Sequence, residues 1–422
     1  MRTKWIGILT MVVSVVVITN PGFCFTQDDI AMHGFVSQGY MKSFDNNYFG
    51  NTKEGSFEFN EIGVNFAVPV TDELLFGIQF FSRDMGEFSN NELIVDWASL
   101  SYTYTDWMGF RAGKLKLPFG LYNRKRDADM LRTSIILPQS FYQEGLREFT
   151  VAIYGGSLYG MAEVGPLGYL DYEFFFGTLP LSENTLYIIE LIEKFKILNQ
   201  GFESLFQDMG SFEMVLRHFE GGMLVWNTPI SGLRIGLIDM IGKGSATSTI
   251  TIPDQTGKQP DTVIDIDMDI KLKEISTLSV EYDIGRFIFA AEHMRVHIGI
   301  DSGLEIPGID KSAIEDVLMI GYYGSISCDV NKYLSLGVSY GEFYPDANDQ
   351  DGSVFEDKGY PDYFAWQKET TVSAKLNISD SWCVKLETHF INGLGQVSLA
   401  TNPKDSAEEN WIMYAIKTSL NF

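Results

Sequence analysis

The final twelve residues, Trp411-Ile412-Met413-Tyr414-Ala415-Ile416-Lys417-Thr418-Ser419-Leu420-Asn421-Phe422, alternate with a period of two. Ile412, Tyr414, Ile416, Leu420 and Phe422 share one face, broken only by Thr418, and Lys417, Ser419 and Asn421 share the other. A β-strand sends successive side chains to opposite faces, so the segment reads as a strand apolar on one side and polar on the other. Lys332 to Glu342 repeats the pattern, with Leu334, Leu336, Val338 and Tyr340 opposite Ser335, Gly337, Ser339 and Gly341. In Gln367 to Ile378, Val372, Ala374, Leu376 and Ile378 oppose Thr371, Ser373, Lys375 and Asn377. In Trp382 to Phe390, Val384, Leu386 and Phe390 oppose Lys385, Glu387 and His389.

Working back toward the N-terminus from Trp411, strand-like segments alternate with connections of two kinds. Short turns fall near Pro69 to Asp72, Thr105 to Met108, Val164 to Gly168, Thr228 to Gly232, Asp283 to Arg286, Asp329 to Lys332 and Ser379 to Ser381. Long loops fall near Phe44 to Gly55, Arg83 to Asn91, Leu117 to Glu148, Leu179 to Phe212, Ile241 to Ile270, Ile298 to Ala313, Tyr344 to Trp366 and Asn392 to Asn410. Short turns at one end and long loops at the other, joining about sixteen strands, are the pattern of a transmembrane β-barrel. The first strand, near Met32 to Ser43, and the last have their termini at the short-turn end. They can therefore pair and remove the open edges that lipid cannot hydrogen-bond. The expected fold is all-β: a transmembrane antiparallel β-barrel of about sixteen strands, with the third long loop folded inward. A solenoid or propeller would show a repeated unit, and none is present. In Ser56 to Val68 the apolar phase slips between Phe59 and Ile62, which predicts a bulge.

Residues 1–24 read as a signal peptide: Arg2 and Lys4, an apolar core from Trp5 to Ile18, then Asn20-Pro21-Gly22. The apolar run falls short of the roughly 20 residues a spanning helix needs. Residues 25–422 then form a single barrel domain. The formal net charge of -25 excludes nucleic acid as a partner, because a phosphate backbone repels such a surface. Cys328 and Cys383 lie on strands separated by two others and with opposite parity, so they are expected as free thiols.

The third long loop, about 117–148, stands apart from this acidic background. From Arg111 to Arg147 there are eight cations, Arg111, Lys114, Lys116, Arg124, Lys125, Arg126, Arg132 and Arg147, against Asp127, Asp129 and Glu144. It also holds Phe119, Leu121, Tyr122, Ile135, Ile136, Leu137, Phe141 and Tyr142, too apolar a set for a solvated tail. A loop folded into a barrel of this size narrows its water-filled channel. Arg111, Arg124, Lys125, Arg126, Arg132 and Arg147 are the candidate pore-constriction and solute-binding residues, since a guanidinium stays charged and offers a fork to carboxylate, phosphate or sulfate. The competing reading is that these arginines pair with Asp127, Asp129, Glu144 or wall acids and pin the loop. Inward-facing wall candidates are Glu173, Arg234, Lys375 and Lys385, with Glu281, Glu369 and Glu387. Arg111 takes one parity on its strand and Lys114 and Lys116 the other. If Arg111 faces the lumen, a kink at Gly113 must lift both lysines above the lipid, where a cation costs roughly 2–4 kcal/mol at the midplane.

The string Arg111-Ala112-Gly113-Lys114-Leu115-Lys116-Leu117-Pro118-Phe119-Gly120-Leu121-Tyr122-Asn123, with Arg126-Asp127 and Leu137-Pro138-Gln139-Ser140-Phe141-Tyr142, resembles the outer-membrane porins of the phosphate-selective type. Phe422 is similar to the terminal aromatic of many outer-membrane barrels. The resemblance implies a sixteen-stranded homotrimer in the outer membrane of a Gram-negative cell, surrounded by its lipids and passing small anions through a narrow basic zone. This chain departs from that type in having no basic ladder along the wall outside residues 111–147.

The expected function is passive diffusion of small hydrophilic solutes, anion-preferring through the basic loop, with no catalysis, cofactor or metal. Ser157 follows Gly155-Gly156 but has no glycine at 159, so it is no nucleophile elbow. His293 and His297 on a strand stand about 13 Å apart, too far for a metal pair. The run Asp346 to Gly352 has the wrong register for a calcium loop, and Asp265, Asp267 and Asp269 read as a solvated outer loop. Within the fourth long loop, about 179–212, Leu186, Ile189, Ile192, Phe195, Leu198, Phe202 and Leu205 recur at helical spacing, so a helix is expected over Ser182 to Phe206. Two other readings remain. One is a receptor or adhesion barrel working through its acidic outer loops. The other is a transporter of hydrophobic compounds, which needs an apolar lumen where the inner faces read as Ser, Thr, Asn, Lys and Glu.

Overall fold

The computed structural model describes residues 30–86, 89–181, 208–252, 262–301, 316–398 and 401–422. Sixteen strands follow one another: β1 Ala31–Phe44, β2 Asn60–Pro69, β3 Leu74–Asp84, β4 Ile94–Thr105, β5 Met108–Lys116, β6 Ala152–Glu163, β7 Tyr169–Leu181 and β8 Asp208–Asn227. They continue as β9 Leu233–Ile252, β10 Thr262–Ile284, β11 Phe287–Asp301, β12 Asp316–Asn331, β13 Leu334–Tyr344, β14 Gln367–Ser379, β15 Trp382–Gly393 and β16 Asn410–Asn421. Each is antiparallel to its sequence neighbours, and β1 closes the ring on β16, with Phe35 opposite Asn421 and Phe44 opposite Ile412. Closure leaves no strand edge unpaired, which a lipid environment requires.

The alternation is realised as a barrel wall. On β16 Tyr414, Ile416 and Leu420 are exposed, whereas Met413, Ala415, Lys417 and Ser419 are buried. β13, β14 and β15 behave alike, presenting Val338, Val372 and Leu386 outward. All seven expected short turns are found between consecutive strands. Cys328 on β12 and Cys383 on β15 are free thiols, separated by β13 and β14.

The slip near Phe59 is an extra residue. Asn60 stands opposite Gln38, but Ser56 stands opposite Met41, so the chain before β2 carries one residue more than β1 across that interval.

Three expectations need correction. β9 runs to Ile252 and β10 begins at Thr262, so the connection expected over 241–270 is far shorter. Asp265, Asp267 and Asp269 are therefore strand residues, paired with Thr249, Thr247 and Ser245. Their alternation with Ile264, Ile266, Met268 and Ile270 is itself a period of two, which the acids disguised as a loop. Likewise β7 extends to Leu181 and β8 begins at Asp208, while the helix expected over 182–206 and the signal peptide over 1–24 lie outside the described residues. Third, the inner face is not polar throughout. Met214, Leu216, Phe219, Met240, Leu272, Ile275, Met294, Val296 and Met319, from β8 to β12, are buried in one apolar cluster. β8, β9 and β10 have 20, 20 and 23 residues, against the 9–11 or so that span a bilayer. Their upper parts thus stand beyond the lipid, and on β10 Asp267, Asp269 and Lys271 are exposed while Ile270 and Leu272 are buried.

Candidate functional site

The connection from Leu117 to Val151 leaves β5 at Leu117-Pro118 and returns as β6 at Ala152. It holds only short helical turns, at Asn123–Lys125, Asp129–Leu131 and Arg147–Thr150. Pro118 has no N–H to continue a ladder. Gly120 takes φ 62°, and a Cβ there would lie 2.5 Å from the Tyr142 hydroxyl and 2.8 Å from Glu292. Side-chain hydrogen bonds and ion pairs join this loop to β3, β4, β7, β10, β11, β14, β15 and β16.

One flank is apolar. Phe119, Phe141, Tyr142 and Leu146 meet the Met214, Leu216, Leu272, Met294 and Val296 surface of β8 to β11. Burial at roughly 1.5–3 kcal/mol per large apolar side chain makes this flank the main source of adhesion. Within it sits one carboxylate, Glu292. It accepts the Leu121 N–H at 2.8 Å, the Tyr323 hydroxyl at 2.6 Å, the Ser279 hydroxyl at 2.5 Å and the Tyr142 hydroxyl.

The opposite flank is charged. Asp129 is bonded to Arg132 at 3.0 Å, Lys417 at 2.8 Å and Lys385 at 3.4 Å, and accepts the Ser419 hydroxyl at 2.7 Å. Burial would raise its carboxyl, but Lys417, Lys385 and Arg132 hold it far below the usual aspartate range. Glu387 accepts the N–H groups of Ile135 and Ile136 at 2.6 and 3.0 Å. His389 lies between it and Glu369, at 2.9 and 2.6 Å.

Between the flanks lies a layer of ion pairs. Glu144 receives Arg126 at 2.6 Å and Arg83 at 2.5 Å. Arg147 reaches Asp127 at 3.0 Å and Asp96 at 3.6 Å, and Lys116 reaches Asp127 at 2.7 Å. Glu144 and Asp127 resist the upward push of burial because of these cations, and both titrate well below the normal carboxylate range. Burial lowers Arg126, opposed by Glu144.

The candidate cations therefore divide. Arg126 pairs with Glu144, Arg147 with Asp127 and Asp96, and Arg132 with Asp129 and the Arg126, Ser134 and Ile135 carbonyls. Arg111 and Arg124 instead share Glu173 and, with Lys116 and Lys125, line a cavity of about 580 Å³ that also touches Asn65, Gln79, Trp97, Asp127 and Phe422. Gly113 takes φ 135°, yet β5 stays in register with β4 and β6 across it, and Leu115 lines the same cavity as Arg111, so the expected change of parity is not found. The two lysines nonetheless part. Lys114 reaches the Val95 carbonyl on the exposed side, and Lys116 turns to Asp127. Of the wall candidates, Arg234 pairs with Glu281 at 2.8 Å, Lys375 donates to the Met130 carbonyl at 3.0 Å, and Lys385 is fully buried on Ser134 and Asp129.

Glu292 and Asp96 escaped the sequence reading. Glu292 interrupts an apolar stripe of Met294 and Val296 on β11, and an isolated acid in such a stripe was the available signal. Among the described residues no group of three His, Cys, Asp or Glu side chains is placed to hold a metal. His297 bonds Asp316, and Asp346, Asp349 and Asp351 accept backbone N–H groups of their own loop.

Neither a family model nor a curated protein matches the sequence. Solved structures do match in fold. The anion-selective porin from Comamonas acidovorans aligns at TM-score 0.53 and 12% identity, covering 93% of this chain and 99% of that one. The outer membrane channel DcaP of Acinetobacter baumannii aligns at 0.53 and 12%, covering 94% and 99%. Salmonella typhi OmpF, solved with daunomycin, aligns at 0.54 and 10%, covering 94% and 99%. At such identities the likeness is one of architecture: the chain is a closed transmembrane β-barrel similar to porins of the bacterial outer membrane.

Proposed function

We propose that this chain is an outer-membrane porin, a passive channel for small hydrophilic solutes that prefers anions. The observation that carries the reading is the 580 Å³ cavity whose walls include Arg111, Lys116, Arg124 and Lys125 against Asp127 and Glu173. Bonds from the loop to eight strands spread around the closed ring support the Leu117 to Val151 segment as the inward-folded constriction. Fixed cations in a narrow aqueous passage lower the energy of an anion and raise that of a cation. Arg111 and Arg124 leave part of their hydrogen-bonding fork unused by Glu173, and a solute carboxylate or phosphate takes it up. Arg126, Arg132 and Arg147 act at one remove, holding the loop in position. Phosphate selectivity in particular has less support, since the cations gather in one zone.

The experiment is solute flux into proteoliposomes. Small organic anions should enter faster than cations of equal size, and neutral sugars should enter in order of size. Absence of flux for every small solute would remove the reading.

The apolar wall of β8 to β12 favours a second reading, passage of hydrophobic compounds. The space left against that wall, between Phe119, Phe141, Leu146 and Met294, is about 40 Å³. A single water needs roughly 10–15 Å³ on this scale, so that space has room for a few waters at most and none for an organic solute, and the aqueous route is preferred.

A further inference from the structure

One register row crosses four strands of the wall: His33 on β1, Asn65 on β2, Gln79 on β3 and Trp97 on β4, each opposite the next. All four line the 580 Å³ cavity that Arg111, Lys116, Arg124 and Lys125 make basic. The Trp97 ring lies against Gly77 of β3, where a Cβ would stand 2.7 Å from it. Phe35, also on the cavity wall, lies in the same way across Gly63 of β2. Both glycines are buried and both rings are half-buried. Bare backbone thus lets each ring recline on the wall and keep surface toward the lumen. The Asn65 and Gln79 amides stand on β2 and β3, between the strands that carry the two rings. Gln79 gives its amide N–H groups to Asp96 and Asp127, both at 3.2 Å, so its carbonyl oxygen is the acceptor it offers. Asn65 offers both a donor and an acceptor. Four cations against two carboxylates, Asp127 and Glu173, leave the cavity an excess of two positive charges.

We propose that this cavity binds an anionic sugar, a hexose carrying one carboxylate or phosphate. The proposal rests on the channel reading above and names the solute class of the same site. A pyranose presents C–H groups on one face, and the negative face of an aromatic ring attracts them. Trp97 supplies that ring. The sugar hydroxyls both donate and accept, which matches the Asn65 and Gln79 amides. The acid group takes the guanidinium fork of Arg111 or Arg124. The volume falls within the roughly 300–1,000 Å³ of small-molecule sites, far more than a bare phosphate occupies. An aromatic acid would also stack on Trp97, but it would strip water from the two amides and leave them unpaired, which is unfavourable. A neutral sugar would leave the excess positive charge unanswered.

The test is block of the chloride current through single channels in a planar bilayer by added anions. In the wild type glucuronate should block at about ten-fold lower concentration than acetate. Glucose-6-phosphate should outdo inorganic phosphate in the same sense, and benzoate should block more weakly than glucuronate. Trp97→Leu keeps an apolar group over Gly77 without the ring, and it should bring glucuronate and acetate to similar blocking concentrations. Asn65→Leu should narrow the same gap, and it supplies the measurement if Trp97→Leu does not fold. Trp226→Leu, on the outer face of β8, should leave the gap at its wild-type value. The proposal is overturned, with the channel reading left standing, by an anion-selective current that glucuronate and acetate block equally or that benzoate blocks best. An unchanged gap in folded Trp97→Leu has the same consequence. A wild type without anion-selective current removes the channel reading, and the proposal with it.

Discussion

Arg111 on β5 and Arg124 on the loop donate to the same oxygen of Glu173, at 2.9 and 2.5 Å. A single carboxylate thus brings together a wall cation and a loop cation that would otherwise repel. Arg111 also lies flat on the Tyr159 ring, 3.7 Å from its centroid. The site is a pair of guanidiniums with one charge of two offset.

Removing that offset should strengthen anion binding. Glu173→Gln keeps the shape and leaves both guanidiniums uncompensated. Sulfate should then block chloride current at a several-fold lower concentration than in the wild type, measured on single channels. An unchanged blocking concentration would show that solutes do not visit this pair.

Glu292 anchors the apolar flank. Glu292→Leu leaves the Leu121 N–H and the Ser279, Tyr142 and Tyr323 hydroxyls without their acceptor. An orphaned buried polar group costs roughly 1–3 kcal/mol, so the loss should reach at least about 3 kcal/mol in a denaturant titration in detergent. Glu292→Gln, which still accepts at one oxygen, should lose less.

Asp129 balances Lys385, Lys417 and Arg132, with Lys385 0% and Lys417 1% exposed. Asp129→Asn leaves these cations under-compensated in a dry setting. Breaking a buried pair costs roughly 3–5 kcal/mol. The loop should loosen at Asp129–Ile136, seen as faster amide exchange there and noisier open-channel current.

Acid should act late. Neighbouring arginines and lysines hold the carboxyls of Asp127, Asp129 and Glu144 well below the ordinary aspartate and glutamate range. Their contribution is complete above the ordinary unfolded values and drains away only as pH falls toward the much lower folded ones. Conductance and melting temperature governed by these three should therefore be flat from neutrality to about pH 4.5 and change only below it. A transition between pH 5 and 7 would point to other groups.

What the sequence disclosed followed the range of the interactions. Strands such as β13 to β16 carry their own pattern, because the inward and outward faces differ in polarity over ten residues. β10 concealed its upper half, where exposed Asp267 and Asp269 alternate with half-buried Met268 and buried Ile270, polarity reversed beyond the lipid. The cation cluster was visible because Arg124, Arg126 and Arg132 are neighbours in the chain. Its division into pinned and cavity-lining members was not, since that depends on Glu173, Asp96 and Arg83 arriving from three other strands. Glu387 and Glu292 meet the loop across 252 and 171 residues, and no local pattern reports such a meeting.

The most direct measurement is the reversal potential across a planar bilayer under a potassium chloride gradient, for the wild type and for Arg111→Ala/Arg124→Ala. The wild type should reverse on the anion-selective side, and the variant should move toward or past zero with its conductance retained. Equal reversal potentials in the two, or a wild type that carries no current, would contradict the account.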